Sequence, residues 1–218
     1  YIPIIREYGI DIQFSAQSKL HNLIKHSNIH SSPIKPEDSY FITDRLWSPL
    51  LSLPKYLGVK NDNVITSQAY IKPQELFVKK WRDVFKDEKK PIIGINWQGN
   101  PELEKKHYQG RSINLELFSK IFEINDISLL SLQKGFGSEQ LKECSFKKKF
   151  INAQPFVDRT YDFSETSAII ANCDLIITCD TAIAHLAGGM GKSVWLLLRD
   201  VPFWTWGMDE DKSIWYQS

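Results

Sequence analysis

The segment from Asp174 to Lys192 constrains the fold of this chain more than any other. It reads DLIITCDTAIAHLAGGMGK, an apolar run, then an Asp-Thr step, then a helical stretch of small residues. That order predicts a buried strand that leads directly into the start of a helix. The first turn of a helix offers unpaired backbone N–H groups and a partial positive charge, which suit a phosphate or diphosphate. Ligands of open α/β sheets bind at the carboxyl ends of strands, where Asp180 and Thr181 would lie.

Apolar runs and helical patterns alternate through the second part of the chain. Near-continuous apolar strands separated by helices favour a parallel sheet that is covered on both faces. The chain before residue 91 is less regular and predicts a short strand from Ile10, a helix over 19–26 and a helix beginning near Pro73. In the second part, strands are predicted over 91–97, 127–133, 175–179 and 193–198, and helices over 115–124, 138–144, 164–173 (with Ser164 as its N-cap) and 181–190.

Composition excludes several classes of function. The net charge of +1 over 218 residues gives no reason to expect a nucleic-acid or membrane-surface partner. No run of about eighteen apolar residues occurs, so no membrane span is predicted. Cys173 and Cys179 belong to or flank an apolar strand, Cys144 forms no C-x-x-C pair with either, and buried thiols in a reducing cytoplasm are expected. No metal is expected either, because metal-ligand spacing is lacking around His21, His26, His30 and His107.

Polar residues follow each predicted strand at its carboxyl end. A parallel sheet brings the four loops to one edge, where cations, hydroxyl groups, a carboxylate and a helix start together suit a nucleotide diphosphate. The residues are Gln98, Gly99, Asn100, His107, Arg111 and Ser112 after the first strand, Gln133, Lys134, Gly135 and Glu139 after the second, Asp180, Thr181 and His185 after the third, and Arg199 and Asp200 after the fourth.

Several of these segments resemble one family of enzymes. INWQGNP, GRSINLELF, LLSLQKG, DLIITCDTAIAHLAGGMGKSVWLLL and PFWTWGMDEDKSIWYQS are similar to the heptosyltransferase-like (family nine) glycosyltransferases, above all to the branch attached to tetratricopeptide repeats. The first residues, YIPIIREYGIDIQF, resemble the middle of that family's N-terminal domain. The resemblance implies the GT-B architecture, in which two Rossmann-like domains face each other across a cleft. Residues 1–88 would then be part of an acceptor-side α/β domain, and 89–218 the Rossmann-like domain that holds a nucleotide-sugar donor.

The resemblance also implies roles for single residues. Asp180, Thr181 and Ala182 would meet the donor diphosphate, and His185 would lie one turn further along the same helix face. Arg111 would lie near the phosphates and Glu139 near the ribose hydroxyls, while Lys134 and Asn100 complete the expected donor-binding set. Two departures stand out. Ala182 replaces a glycine that is frequent in heptosyltransferases proper, and the family's Gly-Asp loop with its general base has no counterpart here, since Asp11 and Asp44 lie in other contexts.

The sequence therefore predicts a glycosyltransferase of bacterial-type glycan biosynthesis. A sugar would pass from a nucleotide-diphosphate sugar to a hydroxyl of a glycan, lipid-linked or protein acceptor, with no metal or other cofactor, and the stretch at hand would hold the donor without supplying the base. A non-catalytic nucleotide-sugar-binding module and a sugar-nucleotide epimerase or hydrolase of the same architecture remain alternatives. A dinucleotide oxidoreductase is disfavoured because no glycine fingerprint follows a strand. Taken alone, Asp180-Thr181 also fits an ordinary helix N-cap, and His185 an ordinary core or surface histidine.

Overall fold

A parallel β-sheet with helices packed against it forms the centre of the molecule. The computed structural model describes residues 1–60, 64, 69–88, 91–106, 110–123, 126–207 and 212–216. Within these residues the sheet has four strands, all parallel, in the order β2-β1-β3-β4. The strands are β1 (Ile92–Asn96), β2 (Ser128–Ser131), β3 (Leu175–Cys179) and β4 (Val194–Leu197). Each lies inside the run that predicted it, and the expected α/β class with a parallel sheet is confirmed.

The sheet separates two hydrophobic cores, because successive side chains of a strand point to opposite faces. Ile92 and Ile176 belong to the core on one face, whereas Ile93, Ile95 and Ile177 belong to the core on the other. These β-branched side chains are buried on both faces, which suits parallel strands with few polar positions. The apolar runs of the sequence are therefore explained by burial on two sides.

Nine α-helices lie within the described residues. Their bounds are α1 (Ile2–Glu7), α2 (Ser18–His26), α3 (Pro36–Ser39), α4 (Leu53–Tyr56), α5 (Glu75–Val84), α6 (Pro101–Glu104), α7 (Gln154–Asp158), α8 (Phe163–Ala171) and α9 (Ala182–Gly189). The helices predicted over 19–26, from Pro73 and over 181–190 are confirmed as α2, α5 and α9. The two core-facing helices α2 and α5 both pack against α8.

The N-cap predicted for α8 is wrong by two residues. Asp162, in an extended conformation, accepts hydrogen bonds from the backbone N–H groups of Ser164 and Glu165, so it caps the helix. Ser164 lies inside the first turn and is buried. Both residue types are good caps, and the sequence pattern alone gave no reason to prefer the carboxylate.

Three further predictions of secondary structure are also wrong. The segments 115–124 and 138–144 form short 3-10 turns over Leu115–Phe118, Ile121–Glu123 and Ser138–Lys142 instead of α-helices. The two segments are linked to each other, since the Gln140 side chain accepts a hydrogen bond from the backbone N–H of Leu115 at 2.8 Å. The segment from Ile10 forms no strand within the described residues and makes only an isolated bridge, Ser15 to Ile34.

Helices that precede the sheet share its core. Leu23 of α2, together with Val78 and Trp81 of α5, lies in the same hydrophobic cluster as Ile92 and Ile176. Residues before and after position 88 therefore share one hydrophobic core. The division of the chain at residues 88 and 89 into an acceptor-side part and a donor-side part remains a prediction. None of the helices in the described part of the chain is long and apolar enough to cross a membrane.

The three cysteines are buried, and none of them forms a disulfide bond. Burial raises the pKa of Cys179 to about 12, which keeps this thiol neutral under physiological conditions. The expectation that Cys173 and Cys179 are buried is confirmed, whereas the reducing compartment that it suggested remains a prediction.

Candidate functional site

A cleft opens at the carboxyl edge of the sheet. Its volume is about 650 Å³, within the range of about 300–1,000 Å³ that small-molecule sites occupy. Residues that follow β1, β2 and β3 line it, whereas Arg199 and Asp200 after β4 are not part of the lining. From β1 the chain continues to β2 on one side, while β3 and β4 extend the sheet on the other. The cleft thus lies at the topological switch point, where open α/β sheets bind their ligands.

A buried hydrogen-bond network forms the floor of the cleft and ties the ends of three strands together. Asn96, the last residue of β1, donates from Nδ2 to Oε1 of Gln133, 2.8 Å away. The same Oε1 accepts from the backbone N–H groups of Trp97 and Gln98, at 3.3 and 3.0 Å. Asn96 Oδ1 accepts from the Thr181 hydroxyl at 2.7 Å. Because these amides are buried and bonded within the protein, they position the cleft and are not free to bind a ligand.

The start of α9 faces the cleft. Thr181 is its N-cap, and the Thr181 hydroxyl accepts from the backbone N–H of Ile183 while it donates to Asn96. Ala182 and Ile183, the first two helical residues, line the cleft. The N–H groups in the first turn of a helix have no partner within the helix. The N–H of Ile183 already donates to the Thr181 hydroxyl and that of Ala184 to the Thr181 carbonyl, so the N–H of Ala182 is the first-turn group available to an anion here.

Arg111 lines the cleft from a compact polar cluster. Its side chain is only 13% exposed and forms an ion pair with Glu104, with Nε and Oε1 3.2 Å apart. Arg111 Nη1 also donates to the backbone carbonyl of Asp180 at 3.3 Å. Ser112 donates to the same Glu104 oxygen and accepts from the backbone N–H of Gly99. The guanidinium lies directly against Gly99, where a Cβ atom would overlap it and push it aside.

Lys134 projects into the cleft after β2. Its ammonium donates to the Thr166 hydroxyl at 3.0 Å and to the backbone carbonyl of Thr160 at 3.5 Å. Burial lowers the pKa of Lys134, and the nearby Lys19 lowers it further, while Glu165 and two aspartates act in the opposite direction. Lys19 belongs to α2, so a helix from the first part of the chain contributes a cation to the same cleft.

The predicted donor-binding residues divide into two groups. Five of them line the cleft: Asn100, Arg111, Lys134, Thr181 and Ala182. The other three, Asp180, Glu139 and His185, do not appear in its lining, and His107 lies outside the described residues.

Each of the three residues outside the lining has its own surroundings. Asp180 is half-buried and offers its backbone carbonyl to Arg111. Glu139 is exposed on the 3-10 turn Ser138–Lys142. The ring of His185 stacks on Trp206 with 4.7 Å between centroids, and its Nδ1 lies 2.9 Å from the Tyr216 hydroxyl. That ring packing lowers the pKa of His185.

Several residues of the site were not singled out from the sequence. Asn96 is the most informative, because a polar residue at the end of a fully buried strand needs a partner and so signals a network. Nothing in the sequence indicated Lys19, Phe136 or Tyr161, whose positions depend on tertiary packing. No group of three or more His, Cys, Asp or Glu side chains that could hold a metal ion occurs among the residues with described positions.

Comparisons with known proteins give two similar structures. No protein-family model matches the sequence, and no curated protein matches it. The Escherichia coli ADP-heptose LPS heptosyltransferase II is 15% identical with a TM-score of 0.43, over 58% of this chain and 38% of that one. A family 9 glycosyl transferase from Veillonella parvula is 16% identical with a TM-score of 0.47, over 77% of this chain and 50% of that one. The chain spans half or less of both proteins.

Proposed function

We propose that the cleft binds a nucleotide-diphosphate sugar and that the chain acts as the donor-binding part of a glycosyltransferase. The diphosphate would lie at the start of α9 against the backbone N–H group of Ala182, beside the guanidinium of Arg111. The sugar would pass to a hydroxyl of a glycan, lipid-linked or protein acceptor, as the family resemblance suggests, and the pattern of cysteines favours the cytoplasm as the location. The nearest alternative is a module that binds the nucleotide sugar without turning it over.

The main support for the proposal is that the start of a helix and several cationic side chains line the same cleft, at the switch point of the sheet. The side chains that line the cleft include three cations, Lys19, Arg111 and Lys134, and two carboxylates, Asp158 and Asp162. Among the lining side chains the cations exceed the carboxylates by one, and Glu104, which lies outside the lining and pairs with Arg111, offsets this excess. Backbone N–H groups at a helix start, with a nearby guanidinium, suit the oxygens of a diphosphate.

The same groups suit the chemistry of sugar transfer. When the bond between the sugar and the diphosphate breaks, negative charge builds up on the departing nucleotide diphosphate. Fixed donors that already point at that position stabilise the charge without reorganisation. Arg111 is fixed in this way, because Glu104 and the Asp180 carbonyl hold its guanidinium. Glu104 balances the charge of Arg111, so the dipole of α9 and Lys134 would supply the remaining positive potential.

The sharpest test removes one backbone N–H group and leaves the helix intact. Proline is well tolerated at the first helical position, which Ala182 occupies, and it lacks the N–H group. Thr181 has φ −137° and ψ 175°, an extended conformation close to that preferred before proline. The variant Ala182→Pro should therefore fold, and Ala182→Gly, which keeps the N–H group, is its matched control.

Both variants and the wild type would be titrated calorimetrically with ADP, GDP, UDP and their sugar conjugates. A lost hydrogen bond to a charged group costs about 1.5–3 kcal/mol, so Ala182→Pro should weaken binding of the preferred nucleotide by roughly 10-fold to 150-fold. Ala182→Gly should bind like the wild type. Equal affinities of Ala182→Pro and the wild type would contradict the placement of the diphosphate, and no nucleotide binding by the folded wild type would contradict the function itself.

A further inference from the structure

Phe136 is an exposed aromatic residue on the wall of the cleft. Its side chain is 60% exposed although it belongs to the lining. None of the ring contacts found among the described residues involves Phe136. Phenylalanine is usually buried, and an exposed aromatic ring in a concave site is a common anchor for a ligand.

The loop that carries Phe136 is held rigidly on both sides of this residue. Gln133 Nε2 donates to the Phe136 carbonyl at 2.6 Å, and the Trp97 indole N–H donates to the Gly137 carbonyl at 3.1 Å. Gly137 has φ +88°, and a Cβ atom there would lie 2.5 Å from Oε1 of Gln98. The backbone is therefore fixed while the ring remains uncovered. Such preorganisation lowers the entropic cost of binding, because little has to be ordered when a ligand arrives.

A second exposed aromatic residue of the lining is already engaged. The ammonium of Lys19 lies 5.9 Å from the ring centroid of Tyr161, within the range of a cation–π contact. The ring of Phe136 has no such cation among the described residues. Of the two rings, Phe136 is the one with an open face.

The position of Phe136 fits a nucleotide whose diphosphate lies at α9. Phe136 follows β2 and α9 follows β3, and β1 lies between these two strands. Adjacent strands are about 4.8 Å apart, so the two strand ends are separated by roughly 10 Å. A nucleoside diphosphate has a ribose between its phosphates and its base and therefore needs two contacts that are well separated. We infer that Phe136 stacks against the nucleobase, an inference that rests on the proposed function because it concerns the other end of the same ligand.

The test distinguishes contacts that the protein makes with the base from contacts that it makes with the phosphates. Stacking on an aromatic side chain typically changes affinity by about 5-fold to 150-fold per base, and inorganic pyrophosphate has no base to stack. Phe136→Ala should therefore weaken binding of the preferred nucleoside diphosphate, among ADP, GDP and UDP, by at least 5-fold and leave pyrophosphate binding unchanged. Phe136→Trp, with a larger ring, should bind the nucleotide at least as tightly as the wild type.

The control is Phe156→Ala, since Phe156 is 53% exposed on α7 and lies outside the lining of the cleft. It should not change the affinity for either ligand. If Phe136→Ala binds the nucleotide as the wild type does, or loses nucleotide and pyrophosphate equally, the stacking role is wrong while the proposed function stands. If the folded wild type binds neither ligand, the proposed function fails and the role of Phe136 fails with it.

Discussion

Replacement of Asn96 by alanine tests the network that holds the floor of the cleft. The change removes two side-chain hydrogen bonds, one that Asn96 accepts from the Thr181 hydroxyl at 2.7 Å and one that it donates to Gln133 at 2.8 Å. Gln133 Oε1 keeps two backbone donors, and the Thr181 hydroxyl keeps the Thr178 hydroxyl as a partner 3.2 Å away, so neither group is left unsatisfied. The cost is therefore close to the net value of the lost bonds.

Each buried hydrogen bond contributes about 1 kcal/mol, so Asn96→Ala should lower the free energy of unfolding by about 2 kcal/mol. For a chain of this length, 1 kcal/mol corresponds to about 2–4 °C, and the midpoint of thermal unfolding should fall by roughly 4–8 °C. Urea unfolding followed by circular dichroism measures the free energy, and calorimetry measures the midpoint. The control Asn152→Ala, at an exposed position, should stay within about 0.5 kcal/mol of the wild type.

A double-mutant cycle identifies the bond from Thr181 to Asn96. Thr181→Val removes the hydroxyl, and its effect combined with Asn96→Ala should fall short of additivity by about 1 kcal/mol. A loss below 1 kcal/mol for Asn96→Ala, or additive effects in the cycle, would refute the view that this amide ties β1 to the start of α9.

Three further predictions concern single contacts. Gly99→Ala should displace the guanidinium of Arg111, with which its Cβ would overlap, and should weaken nucleotide binding measured by calorimetry while lowering stability by only about 1 kcal/mol. Burial lowers the pKa of Lys134 below 10.5, so the folded state loses this proton at lower pH than the unfolded chain does. The stability of the wild type relative to Lys134→Met should therefore rise as the pH is raised toward 10.5, and thermal unfolding measures it. Gly188→Ala should destabilise the protein by about 1–3 kcal/mol, because its Cβ would lie 2.7 Å from the Tyr216 ring. In a protein that already carries Tyr216→Ala, the same Gly188→Ala change should no longer lower the free energy of unfolding in urea.

The strands of the sheet and the helix at the site could be predicted from the sequence, because burial alone determines the pattern of apolar residues in these elements. β3 has the bounds predicted for it, and α9 begins one residue inside its predicted range because Thr181 serves as the cap. An apolar run with turn residues on both sides has few alternatives once the chain folds as an α/β protein. The same argument placed the carboxyl ends of the strands, and with them Asn100, Arg111 and Lys134, at one edge.

The remainder depends on contacts between distant parts of the chain. The polar face and spacing of residues 138–144 fit an α-helix. Gly137 at φ +88° and the hydrogen bond that the Leu115 N–H donates to the Gln140 side chain favour a short 3-10 turn instead. His185 lies one turn beyond Thr181, as predicted, yet its ring packs on Trp206, which no local pattern indicates. Tertiary packing decides both cases, and periodicity does not encode it.

The most direct test of the central claim follows the backbone amides of α9 during a titration. The nucleoside diphosphate that binds among ADP, GDP and UDP would be added to ¹⁵N-labelled protein while amide resonances are recorded. The account predicts that the resonances of Ala182 and Ile183 shift most, and that they saturate together with the calorimetric isotherm. Saturable shifts that leave both of these amides unchanged, and that cluster at other residues, would contradict the assignment of the diphosphate to the start of α9.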